Sequence, residues 1–162
     1  RILIFIVLAL MLVALPTATV LANKQAWKAA IATTNELHTV FGSSARGTGN
    51  FGTNPDGSLH FIISIRGLSG DPTGAHLHAP ADTTQTASVV VTLCGAGPGV
   101  PVLGTCTLVD GVLTIEGDIT GGNLNGMGGG AFINNLRDGL VYFNVHTVAN
   151  PAGEARGQLV QR

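Results

Sequence analysis

Residues 58–68, SLHFIISIRGL, constrain the fold more tightly than any other stretch of the chain. Leu59, Phe61, Ile63 and Ile65 fall on one side of an extended backbone, and His60, Ile62, Ser64 and Arg66 fall on the other. That is the period-two pattern of a strand with one buried face, whereas a helix would scatter the same residues around its circumference. Shorter runs of similar character follow: AHLHAP at 75–80, SVVVTL at 88–93, GVLTIEGDI at 111–119, LVYFNVHT at 140–147 and EARGQLV at 154–160. Gly, Pro, Asn and Asp separate them, and glycine alone accounts for 23 residues. Ahead of the first run, GTGNF and the turn NPDG at 54–57 complete a hairpin signal, because Asp-Gly readily supplies the left-handed backbone of a tight turn. Some eight short strands at this spacing predict an all-β domain, a Greek-key β-sandwich or flattened β-barrel. Helix is expected only as a turn or two in NKQAWKAAIA, and NLNGMGGGAF at 123–132 reads as a glycine-rich bend.

The chain opens differently. Arg1 precedes an unbroken apolar run from Ile2 to Leu15, then Pro16, then Val20-Leu21-Ala22 with small or aliphatic residues before a potential cut. This matches a signal peptide, an N-terminal apolar signal helix over 1–22 cleaved after Ala22. The rival reading, a retained membrane anchor, calls for roughly 20 continuous apolar residues, and Pro16 interrupts the run earlier. Residues 23–162 are then one domain, expected to be secreted, periplasmic or at the cell surface, with the membrane as a partner only if the first segment is retained. Without Arg1 the domain holds 7 basic and 9 acidic residues, a net charge of −2. No cluster of Lys or Arg is present to meet a phosphate backbone, so nucleic acid is excluded as a partner.

Cys94 and Cys106 are the only cysteines, and they enclose a Gly/Pro-rich loop. In an exported protein such a pair points to a disulfide, which removes entropy from the unfolded chain. Catalytic patterns are scarce. There is no Gly-x-Ser-x-Gly elbow, Asp110, Glu116 and Asp118 read as a solvated face, and GMGGG precedes no helix pattern that would make a phosphate cradle.

His76 and His78, in GAHLHAP, are the chemically pointed residues. At positions i and i+2 of a strand they project to the same side, so two imidazoles can share one ion, copper or zinc. A polar, hydrogen-bonding strand face and a surface for a partner are the other readings of the same pair. Asn144 shares a face with Tyr142 and His146, which makes it a candidate to orient an imidazole through its second ring nitrogen. Glu154 and Arg156 stand two apart in GEARG.

Three stretches together, GLSGDPTGAHLHAP at 67–80, the cysteine-bearing middle, and YFNVHTVANPAGEARGQL at 142–159, resemble the CHRD domain, named for its copies in chordin. The resemblance runs from about Trp27 to the C-terminus and implies an extracellular or envelope module for binding or structure, not catalysis, whose partner is an extracellular protein or a small ligand. ISIRGL followed by GAHLHAP, and VYFNVHT followed by GEARGQL, are more faintly similar to copper/zinc superoxide dismutase. That likeness implies a dismutase-like Greek-key barrel in which His146 joins His76 and His78 around one copper or zinc. His60 is a weaker candidate because it faces away from the apolar set of its strand. The likeness also implies an anion-guiding role for Arg156, against which a framework role in hydrogen bonds or an ion pair is favoured. No histidine lies between His78 and His146, so the bridging ligand and zinc loop of that family are missing and a two-metal site is excluded. The alternative function left by the likeness is a mononuclear copper enzyme.

Overall fold

The computed structural model describes residues 24–98 and 102–162, so the proposed signal segment at 1–22 lies outside the described residues. Among the described residues nine strands form one sheet: β1 (Ala26–Ala32), β2 (Arg46–Thr53), β3 (Leu59–Arg66), β4 (Pro72–His78), β5 (Val89–Gly95), β6 (Leu108–Val109), β7 (Val112–Ile119), β8 (Tyr142–Thr147) and β9 (Ala155–Gln161). Their order is β5-β4-β8-β9-β1-β2-β3-β7-β6, and every adjacent pair is antiparallel. The chain is thus mostly β, as the alternating pattern requires. The strands hydrogen-bond as one continuous curled sheet, a half-barrel, instead of two separately bonded layers. Side chains from both ends of the order, Val91 and Leu93 of β5 and Leu113 and Ile115 of β7, enter the same buried cluster. Cys94 and Cys106 stand at disulfide distance, with Cα atoms 5.2 Å apart, where these two ends approach.

Local chemistry accounts for the turns. At 54–57 the amide of Gly57 donates to the carbonyl of Asn54, with Gly57 at φ 86°, while the Asp56 carboxylate accepts from the Ser58 amide and hydroxyl. Asp110 and Gly111 join β6 to β7 in two residues, both at positive φ, the backbone a primed hairpin turn demands.

Two segments depart from the sequence reading. NKQAWKAAIA contains no helical turn; it carries β1, where Trp27, Ala29 and Ile31 alternate inward with Lys28 and Ala30 outward. Alternation was present there, masked by the helix propensity of alanine, which tertiary pairing overrides. The glycine-rich bend contains a helix, α1 (Gly129–Arg137), so GMGGG does lead into one. Phe132 and Leu136, one turn apart, are buried, and the Leu136 carbonyl accepts from Trp27 Nε1 at 2.9 Å. Three successive glycines depress the helical signal, and packing supplies what propensity lacks.

The inner face of the sheet is apolar. Ala75 and Leu77 of β4, Phe143 and Val145 of β8, and Leu159 of β9 all point into the core. Alternation therefore sends His76, His78, Tyr142, Asn144, His146, Arg156 and Gln158 to the outer, convex face.

Candidate metal centre

Register brings the histidines together. His76 faces Asn144 across the β4–β8 ladder, His78 faces Tyr142, and Gly74 faces His146. His146 thus lies diagonally across from His76, and their ring centroids are 5.0 Å apart. His76 and His78 stand edge to face at 5.8 Å. One ring nitrogen from each of the three lies within 4.8 Å of the others. His76 and His78 are 6% and 9% exposed although they project from a convex face, because loops fold over them.

Those loops set the tautomers. His76 Nε2 is 2.7 Å from the Ala96 carbonyl, His78 Nδ1 is 2.8 Å from the Ala87 carbonyl, and His146 Nδ1 is 3.0 Å from the Pro151 carbonyl. A carbonyl only accepts, so each of these nitrogens carries the proton and donates it. The opposite nitrogens, His76 Nδ1, His78 Nε2 and His146 Nε2, are left as bare lone pairs, buried and without a partner. All three imidazoles are held neutral. Burial pushes the His78 pKa down to about 4 and lowers those of His76 and His146, against the raising effect of each carbonyl bond.

Glycines make the close cover possible. A Cβ on Gly97 would stand 2.6 Å from His76 Nε2, and one on Gly153 would stand 2.7 Å from Asn144 Nδ2. Asn144 donates from Nδ2 to Glu36 Oε1 at 2.5 Å, and its buried Oδ1 has no partner. The Glu36 pKa is raised by burial, offset in part by His38 and Arg156. His38 Nε2 lies 3.0 Å from the Gly153 carbonyl and its Nδ1 lies 3.8 Å from Glu36 Oε2. The Glu36–His38 loop gave no signal in the sequence, since it joins the site through main-chain and side-chain bonds specific to this fold.

The remaining predicted site residues are placed as follows. His60 is on β3 between Glu116 and Asp118, at 3.7 and 3.1 Å, and is not among the clustered imidazoles. Arg156 lies with its guanidinium carbon 3.5 Å from the centre of the Tyr142 ring, and that ring stacks on His78 at 4.7 Å and 2°. It donates to the Asp82 carbonyl at 2.6 Å, a framework bond, and forms no ion pair with Glu154. Glu154 precedes β9 and turns into a separate cage of Ser43, Ser69, Thr147 and Asn150.

Fold and site define the class: a small β module whose convex face holds three neutral imidazoles under a cover of glycine-rich loops. The CHRD domain family model matches residues 27–159, most of the chain, and the protein belongs to the CHRD family. No match was found among curated proteins or among solved structures.

Proposed function

We propose that this domain is an exported binding or structural module that holds one copper or zinc ion through His76 Nδ1, His78 Nε2 and His146 Nε2. The observation that carries the reading is a cluster of three imidazoles in which each ring keeps one buried nitrogen without a partner while its other nitrogen donates to a backbone carbonyl. Hydrogen bonding alone explains one nitrogen per ring and leaves the other an uncompensated cost. A metal ion uses the second nitrogen, and a donor bond from the first is the usual way a ligating imidazole is oriented. Metal–nitrogen bonds of about 2.0–2.1 Å at tetrahedral angles would bring ligand nitrogens to about 3.4 Å of one another, a contraction of up to about 1.4 Å for rings that already offer ligand atoms within 4.8 Å. Three imidazoles suit copper or zinc, and leave a coordination position for water or a ligand.

Export is supported by the cysteine pair and by the apolar opening of the sequence. The order β5-β4-β8-β9-β1-β2-β3-β7-β6, in one sheet curled so that β5 and β7 share a core, supports kinship with Greek-key barrels of dismutase type. A mononuclear copper enzyme is the second reading. The near-complete burial of His76 and His78 favours retention of an ion over turnover of a substrate.

Metal analysis and titration with copper(II) and zinc decide it. One ion per chain is expected, abolished in His76→Ala/His146→Ala and unaffected in His60→Ala. Substoichiometric metal, or equal uptake by the double variant, overturns the proposal. Superoxide turnover by the copper form would move the assignment to the enzyme.

A further inference from the structure

The convex face carries a second feature beside the histidines. A cavity of ≈ 670 Å³ lies across β1 and β9, floored by Ala30, Arg156, Gln158 and Val160 and walled by Leu37 from the loop after β1. That volume falls within the range of about 300–1,000 Å³ typical of small-molecule sites. Its lining carries three cations, Lys28, Arg156 and Arg162, against one acid, Glu36, in a chain whose net charge is −1.

Arg156 is the focal group. It is 2% exposed, yet among the described residues no carboxylate lies within 4.0 Å of it. One guanidinium face covers Tyr142, and Nη2 donates to the Asp82 carbonyl and reaches Gln158 Oε1 at 3.5 Å. Glu36 attracts it only across more than 4.0 Å, because that carboxylate is turned to Asn144 and His38. A buried cation ordinarily has an anionic partner, and a guanidinium offers its remaining N–H groups as a fork that fits a carboxylate.

We propose that this cavity binds a small organic carboxylate, with the carboxylate on Arg156 and an apolar body along Ala30, Leu37 and Val160. The strand sets the length. Val160 stands four residues beyond Arg156, about 13 Å at the rise of a strand, and its cross-strand partner is Lys28. An extended molecule with a second carboxylate at its far end meets that lysine. The assignment is independent of any metal at the histidines, and its test is run in excess chelator so that failure of one reading leaves the other standing.

The probes are octanoate and decanedioate, titrated into the full chain and followed by amide chemical shifts. Saturable binding of both is expected, tighter for decanedioate, with shifts centred on β1, β9 and the 34–37 loop. Arg156→Gln should weaken both by about tenfold or more, the loss of a charge-assisted pair. Lys28→Ala should remove the advantage of decanedioate and leave octanoate unchanged. Because Arg156 is buried and its replacement could unfold the domain, Leu37→Asp, at a position 47% exposed, gives a second arm and should also weaken octanoate. Non-saturable shifts, equal binding by Leu37→Asp, or equal competition from sulfate at matched ionic strength would overturn the proposal.

Discussion

Replacing Glu154 by Gln should cost the fold about 3 kcal/mol of stability. Glu154 is fully buried, and its Oε1 accepts from Ser43 Oγ at 2.6 Å and from the Ser69 amide at 2.6 Å. Its Oε2 accepts from Ser69 Oγ at 2.7 Å, from Thr147 Oγ1, and from Asn150 Nδ2 at 3.4 Å. Burial alone would raise its pKa, but these bonds outweigh that and hold it below the usual carboxylate range. The carboxylate ties three separate loops, through Ser43, Ser69 and Asn150, to the end of β8. An amide keeps one acceptor oxygen and turns an NH2 toward donors. The hydroxyls can rotate, but the Ser69 backbone amide can only donate, and the Asn150 amide is held from flipping by Phe41, whose N–H donates to its Oδ1 and whose carbonyl accepts from its Nδ2. Bonds to a charged acceptor contribute about 1.5–3 kcal/mol each, and part of that strength survives with the retained oxygen, so a loss of about 3 kcal/mol is expected. Urea unfolding at pH 7 followed by Trp27 fluorescence measures it. As pH falls below the unfolded carboxylate value and through the lowered folded value, the wild type loses this advantage and the two proteins converge. A difference below about 1 kcal/mol at pH 7 would refute the argument that the cage is sustained by charge.

Metal-free protein should lose stability as pH falls from about 6.5 toward 4, because the unfolded chain protonates its histidines while His78 stays neutral down to about 4. Relative to His78→Asn, the wild type should lose up to about 3 kcal/mol over that window in chelator; parallel pH profiles would show that His78 is not held neutral. Gly97→Ala places a methyl against His76 and Thr92 and should weaken copper uptake at least tenfold with little change in strand content, whereas Gly121→Ala, with nothing within 4 Å, should leave uptake unchanged. Reduction of the Cys94–Cys106 bond, which closes a separation of 12 residues, should cost about 3 kcal/mol and lower the melting midpoint; an unchanged midpoint under reductant would count against the bond.

The fold was legible wherever alternation was clean. In β3 every second residue is apolar and buried, and β7 keeps the same alternation at Leu113, Ile115 and Ile119, so the strand assignments follow directly. It was hidden where composition opposed the outcome. β1 is rich in alanine, a helix former, and α1 begins on glycines, the poorest ordinary helix formers. β1 is held by its ladders to β2 and β9, and a contact ties α1 to it, the Trp27 indole on the Leu136 carbonyl, which joins residues 109 apart and leaves no local trace.

The imidazoles were legible for a different reason. His76 and His78 share a face by period two alone, but the addition of His146 depends on antiparallel pairing of β4 with β8, which only the dismutase likeness suggested. What no residue pattern carries is the orientation of the rings. Ala96, Ala87 and Pro151 act through their carbonyls, so side-chain identity at those positions is nearly irrelevant to the bond they accept. The only sequence trace is indirect: Gly97 and Gly153 stand where a β-carbon would collide with His76 or Asn144. This bears on the two readings that the sequence left open. A structural histidine requires one partner, and each ring has that in a carbonyl. Each of the three clustered rings keeps a second nitrogen that is buried and unpartnered, a cost that hydrogen bonding within the described residues leaves standing and that the proposed ion would remove.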